Sequence, residues 1–225
     1  MDHLTRQLDI IPLNCLNQKI TVIGAGAIGS FVVLNLCKMG FQNVTVYDFD
    51  EVSVENMNNQ WYRFKDIGKA KTAALAELIH DFTGVNIKTL NEKYVDQRLE
   101  GIVISSVDSM EVRKAIWEKC KDNTMVQWYI DPRMAAEYAL SFVMNPNDPK
   151  DIESYEKTLY LDKDSVQERC TNKGTMYTST MIAGYVVKHV KDLVTMGKYA
   201  RVTHWNIGAN VLQNWAKRET TALNT

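Results

Sequence analysis

The sequence lacks the features that mark several large classes of protein. None of its apolar runs approaches the ~20 residues that a membrane helix requires. Its 26 basic and 27 acidic residues nearly cancel, so there is no basic field that would bind nucleic acid or an anionic membrane. The first ten residues have no apolar core of a signal peptide. We therefore expect a cytoplasmic protein with neither nucleic acid nor a membrane as its partner.

Metal-binding patterns are also missing from the sequence. The four cysteines include no C-x-x-C pair, and the four histidines fall at no metal-ligand spacing. We therefore expect no structural zinc, and reduced thiols fit a cytosolic protein. Cys15, Cys37 and Cys120 lie in or beside apolar helical patterns, which predicts that they pack in the core.

A glycine-rich stretch from Lys19 to Asp50 organises the chain. It predicts a short apolar strand, a turn, a helix and a second strand that ends at Asp48, which is a nucleotide-binding βαβ unit. In the turn, Gly24 permits a tight bend, Gly26 lets the backbone approach a phosphate, and Gly29 lets the helix pack closely on the strand.

The helix that follows these glycines offers unpaired N–H groups and a positive dipole end to an anion. Asp48 stands where a carboxylate accepts hydrogen bonds from a ribose. The unit therefore predicts nucleotide binding, although a glycine turn that only packs a helix against a sheet is the simpler alternative.

The rest of the pattern predicts an α/β protein with a Rossmann-like, doubly wound, mostly parallel sheet and an antiparallel C-terminal extension. We expect a single domain made of an N-terminal arm (1–18), a nucleotide-binding core (19–131) and a C-terminal half that docks a partner (132–225). The pattern predicts helices at 69–82, 110–120 and 175–196, strands at 85–90, 101–107, 125–130 and 138–144, and a pair of short strands within 201–215. Turn residues at 145–149 precede a charged stretch, 150–169, that predicts a surface crossing or a mobile loop.

The stretch DFDEVSVENMNNQ after the second strand, the later GKAK and SSVDSMEVR resemble the ThiF/MoeB/HesA family, the bacterial relatives of ubiquitin-activating enzymes. The resemblance runs from about Arg6 to Arg113. It implies an adenylyltransferase, a nucleotidyltransferase that uses ATP and Mg²⁺. Its partner would be a small ubiquitin-like or sulfur-carrier protein, whose C-terminal glycine carboxylate is adenylated with release of pyrophosphate.

The resemblance also implies roles for individual residues. Asp48 would hold the ribose, Asn56 would shape the phosphate pocket, and Lys71 would contact the phosphates. Asp108, after a buried strand, would hold the magnesium ion. A strand-ending aspartate that only caps a helix, and a solvated helix lysine, are the simpler alternatives for Asp108 and Lys71. The remaining nucleotide-site positions of the family pattern are Asp50, Asn59, Gln60 and Arg63.

Asn59 departs from the pattern, which has an arginine at this position before Gln60. A neutral amide cannot replace the charge of a guanidinium, so either Arg63 compensates or the activity is altered. Arg6 matches an arginine that the family supplies from the facing subunit, which implies a homodimer. A disordered terminal residue is the alternative for Arg6.

Cys170 is a candidate for a covalent step, because related enzymes pass the adenylated partner to a cysteine as a thioester or persulfide. It lies beside Arg169 and near Lys173, whose charges favour a thiolate. A small packing residue is the alternative.

Three functions compete at this point. The first is the adenylating enzyme, and the second is a non-catalytic family member that binds a partner or completes a heterodimer, which Asn59 favours. The third is an NAD-dependent oxidoreductase, which shares the glycine turn and Asp48 but gives no task to Asn56, Gln60 and Lys71. No Tyr-x-x-x-Lys pair of a short-chain reductase stands in the expected place.

Overall fold

The computed structural model describes residues 2–159 and 174–216. They form one eight-stranded sheet with helices on both faces, in the strand order β3-β2-β1-β4-β5-β6-β7-β8. The strands are β1 Ile20–Ile23, β2 Val44–Tyr47, β3 Lys88–Leu90, β4 Gly101–Ser105, β5 Val126–Ala135, β6 Tyr138–Met144, β7 Ala200–Asn206 and β8 Val211–Ala216. The helices are α1 Gly29–Lys38, α2 Lys71–Thr83, α3 Met110–Cys120, α4 Pro149–Glu156 and α5 Met176–Met196.

The first five strands pair in parallel, and β5 to β8 pair in antiparallel fashion. The predicted mostly parallel sheet with an antiparallel C-terminal extension is therefore confirmed. The helices divide between the two faces. Residues of α1, α2 and α5 pack into one apolar cluster and residues of α3 and α4 into the other. Two covered faces explain why β1 and β4 are almost wholly apolar.

The connections within the parallel part bring four strand ends to one edge. Since β1, β2, β3 and β4 all run in the same direction, the residues after Ile23, Tyr47, Leu90 and Ser105 meet at what we call the carboxyl edge. Ligands of open α/β sheets bind outside this edge.

The predicted strand at 125–130 is longer in the structure, because β5 continues through Pro132 to Ala135. β5 pairs with β4 only as far as Ile130, and beyond that residue it pairs with β6 alone. A proline lacks an N–H donor, so it is tolerated where one side of a strand has no partner.

The prediction of an irregular stretch at 150–169 is wrong in its first part, because Pro149–Glu156 forms α4. The sequence carries the signal for this helix: the side chain of Asp148 accepts a hydrogen bond from the backbone N–H of Lys150, and a proline occupies the first turn. Residues 160–169 and Cys170 lie outside the described residues.

Other predicted bounds differ by a few residues. The strand predicted at 85–90 is confined to β3, and the one predicted at 101–107 ends at Ser105. The helix predicted at 175–196 is confirmed, with Thr175 as its N-cap and Gly197 ending it in a left-handed conformation. The N-terminal arm forms two 3₁₀ turns, Asp2–Gln7 and Leu13–Asn17.

Candidate nucleotide site at the carboxyl edge

The glycine turn after β1 has the close contacts that its sequence predicts. Gly24 has a φ of +96°, and a Cβ there would lie 2.6 Å from the carbonyl oxygen of Ser106. A Cβ on Gly29 would lie 1.9 Å from the carbonyl oxygen of Gly24. The first turn of α1 can therefore pack this closely on the end of β1 only because residue 29 is a glycine. Gly26 has no atom within 4 Å of its Cβ position. The turn therefore has an open surface at Gly26, at the N-terminus of α1, where a phosphate can approach the backbone.

Asp48 is held against this turn. Its two carboxylate oxygens accept hydrogen bonds from the backbone N–H groups of Ala25, at 2.6 Å, and Asp50, at 2.8 Å. The residue is 9% exposed. Because each carboxylate oxygen has two lone pairs, these bonds leave acceptor capacity for a ribose hydroxyl.

The polar segment after β2 folds over the same turn. The hydroxyl of Tyr62 donates to the carbonyl of Ala25 at 2.7 Å, and the backbone N–H of Trp61 donates to the hydroxyl of Ser30 at 3.0 Å. Burial, followed by the negative charges of Asp48 and Asp50, raises the pKa of Tyr62 well above its ordinary value. Tyr62 is therefore a neutral donor that fixes the segment to the turn.

Asn56 and Gln60 occupy this segment. Asn56 lies in a 3₁₀ turn, Val54–Asn58, where its side-chain oxygen accepts from the backbone N–H of Ser53 at 2.9 Å. The side-chain oxygen of Gln60 is buried and has no hydrogen-bond partner. A buried polar atom without a partner is rare in folded proteins and suits a position that a ligand satisfies.

Lys71 is the first residue of α2 and is 6% exposed, so its reading as a solvated helix lysine is wrong. Its amine lies 2.8 Å from a carboxylate oxygen of Asp50, and its backbone N–H donates to the Asp50 carbonyl at 2.9 Å. Asp50 is half exposed. The amine of Lys71 is therefore buried against a carboxylate that is itself half exposed.

Arg63, the candidate to compensate for Asn59, pairs with carboxylates in the structure. Its guanidinium pairs with Asp66, Glu77 and Asp81 at 2.7, 3.0 and 3.1 Å. Burial of Asp66 raises its pKa, but the hydrogen bonds from Arg63 and Lys69 outweigh that effect and lower it to about 2. Arg63 is therefore committed to a cluster of carboxylates.

Asn59 itself contacts the chain N-terminal to α5. Its amide nitrogen lies 3.5 Å from the carbonyl oxygen of Gly174. A Cβ on Gly174 would lie 2.9 Å from the same nitrogen, so the packing here is tight.

Asp108 follows β4 at the carboxyl edge and is exposed. It does not cap α3, because Ser109 is the N-cap and its hydroxyl accepts from the N–H of Val112. Ser106, two residues earlier, contacts Gly24, so Asp108 belongs to the same edge as the glycine turn.

The donor set suits a magnesium ion held with a nucleotide. Within residues 2–159 and 174–216, no group of three or more His, Cys, Asp or Glu could hold a metal ion unaided. Mg²⁺ typically binds one or two carboxylates together with substrate phosphates and water, and one exposed aspartate can supply the protein's share of such ligands.

Arg6, Cys15, Cys37 and Cys120 lie apart from the glycine turn. Arg6 is exposed in the first 3₁₀ turn, and Leu4 of that turn packs on Gly40, just beyond the C-terminal end of α1. The glycine turn lies at the opposite end of this helix, about 15 Å away for ten residues. Cys37 and Cys120 are buried, and Cys15 is partly buried. Burial raises the pKa of the Cys37 thiol to about 12, which leaves it unreactive.

Sequence reasoning missed Arg113, Asp131, Arg133 and Tyr155, which form a buried polar network behind Asp108. The sequence shows an arginine near the start of a predicted helix and an Asp-Pro-Arg after a strand, but nothing in the sequence indicates that they meet.

No helix of the described residues is long and apolar enough to cross a membrane.

Comparisons with known proteins agree with this architecture. The ThiF family model matches residues 13–220. The NEDD8-activating enzyme E1 catalytic subunit of Dictyostelium discoideum is 37% identical over an aligned length of 105 residues, and the alignment covers 44% of this chain and 24% of that enzyme. Ubiquitin-like modifier-activating enzyme 5 of Caenorhabditis briggsae is 25% identical over an aligned length, gaps included, of 240 residues, and the alignment covers 90% of this chain and 51% of that enzyme.

Solved structures share the fold. The structure of E. coli MccB with ATP has a TM-score of 0.76 and 14% identity, covering 96% of this chain and 71% of that one. PaaA has a TM-score of 0.73 and 17% identity, covering 96% of this chain and 72% of that one. This chain spans between a quarter and a half of the length of the two curated relatives. The match over residues 13–220 covers most of the sequence, and the chain belongs to the ThiF family.

Proposed function

We propose that this protein is an ATP-dependent adenylyltransferase that activates the C-terminal glycine carboxylate of a small ubiquitin-like or sulfur-carrier protein. The observation that carries the proposal is the carboxyl edge, where the open glycine turn, Asp48, Lys71 and Asp108 come together. The named activities of the curated relatives, a NEDD8-activating and a ubiquitin-like modifier-activating enzyme, support it.

The chemistry assigns a task to each part of this edge. One oxygen of the partner's carboxylate attacks the α-phosphorus of ATP, a new O–P bond forms, and the bond to the β-phosphate oxygen breaks. The products are an acyl-adenylate and pyrophosphate. Two anions must approach each other, so positive charge at the phosphates lowers the barrier.

In this proposal Asp48 holds the ribose, and the turn at Gly24, Gly26 and Gly29 holds the phosphates. The amine of Lys71 leaves Asp50 for the phosphates. Asp108 would hold a magnesium ion, which would supply charge neutralisation at the phosphates.

The test is ATP–pyrophosphate exchange with small proteins that end in Gly-Gly. We expect exchange that depends on the partner, and loss of at least about 100-fold in Asp108→Asn. Asp96→Asn is the matched control, because its carboxylate pairs with Lys119 at the other end of α3. Exchange that survives Asp108→Asn would remove the metal assignment.

A second pair of variants tests the phosphate cation. Lys71→Met removes the buried amine, whereas Lys65→Met removes an exposed one that pairs with Glu77. We expect the ATP concentration for half-maximal exchange to rise only in Lys71→Met.

We further propose that the protein acts as a homodimer in which Arg6 of one protomer completes the site of the other. The distance of the N-terminal turn from the glycine turn of the same chain supports this arrangement. Mixing inactive Arg6→Ala and Asp108→Asn chains then restores about a quarter of wild-type exchange, because half of the dimers are mixed and each has one intact site. A mixture with no activity contradicts the shared site.

A non-catalytic, partner-binding subunit is the second candidate, and Asn59 with its contact to Gly174 favours it. Binding of ATP and a Gly-Gly protein without exchange identifies that function. Tight NAD binding without exchange identifies an oxidoreductase instead.

A further inference from the structure

A buried arginine lies directly behind Asp108. Arg113 belongs to the first turn of α3 and is 4% exposed. Its guanidinium turns back and donates through Nη2 to the carbonyl of Val107, the residue before Asp108. Its backbone N–H donates to the Ser109 carbonyl at 3.0 Å. Arg113 therefore holds the chain on both sides of Asp108.

The guanidinium of Arg113 also forms an ion pair with Asp131. Nε of Arg113 lies 3.1 Å from Oδ1 of Asp131, which is fully buried. The other oxygen, Oδ2, receives the guanidinium of Arg133 at 2.8 Å and the hydroxyl of Tyr155 at 2.8 Å. Asp131 thus has its geometry fixed by side chains from β5 and α4.

This network lies at the level of the carboxyl edge. Ile104 is in register with Ile130 as β4 and β5 run in parallel, so Asp131 emerges beside Ser105. The chain from Ser106 to Asp108 then passes between the glycine turn and Arg113. The carbonyl that accepts from Arg113 belongs to the peptide group that joins Val107 to Asp108.

The network is costly as a purely structural device. It places two guanidinium groups, that of the buried Arg113 and that of Arg133, which is 13% exposed, on one carboxylate. Nε and Nη1 of Arg113 and Oδ1 of Asp131 are buried without a hydrogen-bond partner, so the 3.1 Å contact between Nε and Oδ1 is an ion pair only. Buried ion pairs often add no stability over well-packed apolar residues, and an unpartnered buried donor is unfavourable.

We infer that Arg113 is a positioning residue that holds the carboxylate of Asp108 in place for a divalent cation at the ATP phosphates, and that Asp131 and Tyr155 fix Arg113 for this task. This inference rests on the proposed role of Asp108 as the metal ligand. Groups that orient a ligand residue from outside are a general feature of metal sites.

The test measures ATP binding rather than catalysis, by titrating Mg²⁺ in the presence of a fluorescent ATP analogue. Arg113→Lys keeps a charge but loses the fork that reaches Val107 and Asp131 together. We expect it to need about tenfold more Mg²⁺ for half-maximal binding. Binding without Mg²⁺ stays at the wild-type level. Arg98→Lys, at an exposed arginine, is the control.

A folded Arg113→Lys variant with the Mg²⁺ dependence of the wild type overturns the inference. If that variant does not fold, Tyr155→Phe decides, since it removes only the hydroxyl that donates to Asp131. We expect a shift in the same direction of about twofold to threefold. The control is Tyr199→Phe, which removes a tyrosine hydroxyl from Asp151. Equal behaviour of these two variants overturns the inference.

A double variant separates positioning from general damage. If Arg113 acts through Asp108, then Arg113→Lys adds no further loss of Mg²⁺ dependence in an Asp108→Asn background. Additive losses contradict the inference.

Failure of this inference and failure of the proposed function give different results. Wild-type protein that binds ATP with Mg²⁺ but shows no exchange refutes the adenylyltransferase and leaves the positioning result intact. Wild-type protein whose ATP binding ignores Mg²⁺ overturns the inference.

Discussion

The two sides of the carboxyl edge hold their acidic residues by different means. On the glycine-turn side, Asp48 is nearly buried and is fixed by backbone N–H groups of Ala25 and Asp50. On the other side, Asp108 is exposed, and its backbone is fixed by the buried side chain of Arg113.

The difference lies in how far along the chain the supporting groups are. Asp48 and its partners belong to one βαβ unit, so the geometry follows from a short stretch of sequence. The support of Asp108 combines side chains from α3, β5 and α4. Local backbone structure therefore builds the proposed nucleotide part of the site, and tertiary packing builds the proposed metal part.

Gly29→Ala tests the backbone side and has the largest expected effect. Its Cβ would lie 1.9 Å from the Gly24 carbonyl oxygen, so α1 must move away from β1. We expect the free energy of unfolding, measured by urea titration, to fall by at least about 3 kcal/mol.

Gly26→Ala is the matched control for this prediction. Its Cβ position has no atom within 4 Å, so the free energy of unfolding should change by less than about 0.5 kcal/mol. The added methyl group occupies the space that the phosphate needs, so ATP affinity should fall. Unchanged ATP affinity in Gly26→Ala would mean that the phosphates do not lie on this turn.

The same division explains what the sequence predicts. The glycines, Asp48 and the alternating strands and helices predict the parallel part of the sheet, because each depends on residues close together in the chain. The helix α4 carries its own local signal in Asp148 and Pro149, but its charged residues have only a weak apolar pattern, which does not predict a helix.

The remaining features are not local. The pairing of Lys71 with Asp50, and of Arg113 with Asp131, depends on which elements pack together. The carboxylates that occupy Arg63 come partly from α2, so a reading of the polar segment alone leaves that arginine available.

Measurements of the carboxyl edge at acid pH must be separated from changes in the stability of the whole chain, to which the buried His189 in α5 contributes. Burial, followed by the charge of Lys188, lowers the pKa of His189 from 6.5 to about 4, while Asp192 opposes the shift. The unfolded chain binds this proton at higher pH than the folded chain. The free energy of unfolding therefore falls as the pH drops from about 6.5 to about 4, by about 3 kcal/mol, and the contribution is constant below that range.

His189→Gln removes the titrating group. We expect the free energy of unfolding of this variant, measured by urea titration, to depend less on pH between about 6.5 and about 4. His80→Gln, at an exposed histidine in α2, should leave the wild-type slope. A wild-type slope in His189→Gln contradicts the assignment.

Asp48→Ala tests whether the glycine turn depends on the carboxylate of Asp48. It removes the acceptor of two N–H groups, and hydrogen bonds to a charged group are strong, so we expect a loss of about 2 kcal/mol in the free energy of unfolding. The ATP affinity should fall as well.

Asp81→Ala removes an exposed carboxylate that pairs with Arg63, and should cost less than about 1 kcal/mol. Equal losses in the two variants would show that the glycine turn does not depend on Asp48.

Asn59→Arg has the smallest expected effect on stability among these test variants and sharpens the comparison at the segment between the two sides. The contact of Asn59 with the Gly174 carbonyl, at 3.5 Å, is at the limit of a hydrogen bond, so its loss costs little. The longer arginine must displace the tightly packed chain at Gly174, so we expect the free energy of unfolding to fall by about 1 kcal/mol. Asn59 stands next to Gln60, whose buried side-chain oxygen has no hydrogen-bond partner. An arginine at position 59 would therefore add a positive charge beside the proposed phosphate site. We expect the ATP concentration for half-maximal exchange to fall several-fold.

Asn58→Arg adds the same charge at the exposed neighbouring position. A positive charge that acts only at long range would change the ATP concentration for half-maximal exchange equally in both variants. Equal changes would therefore place position 59 outside the phosphate site, and Lys71 would remain the proposed cation of that site.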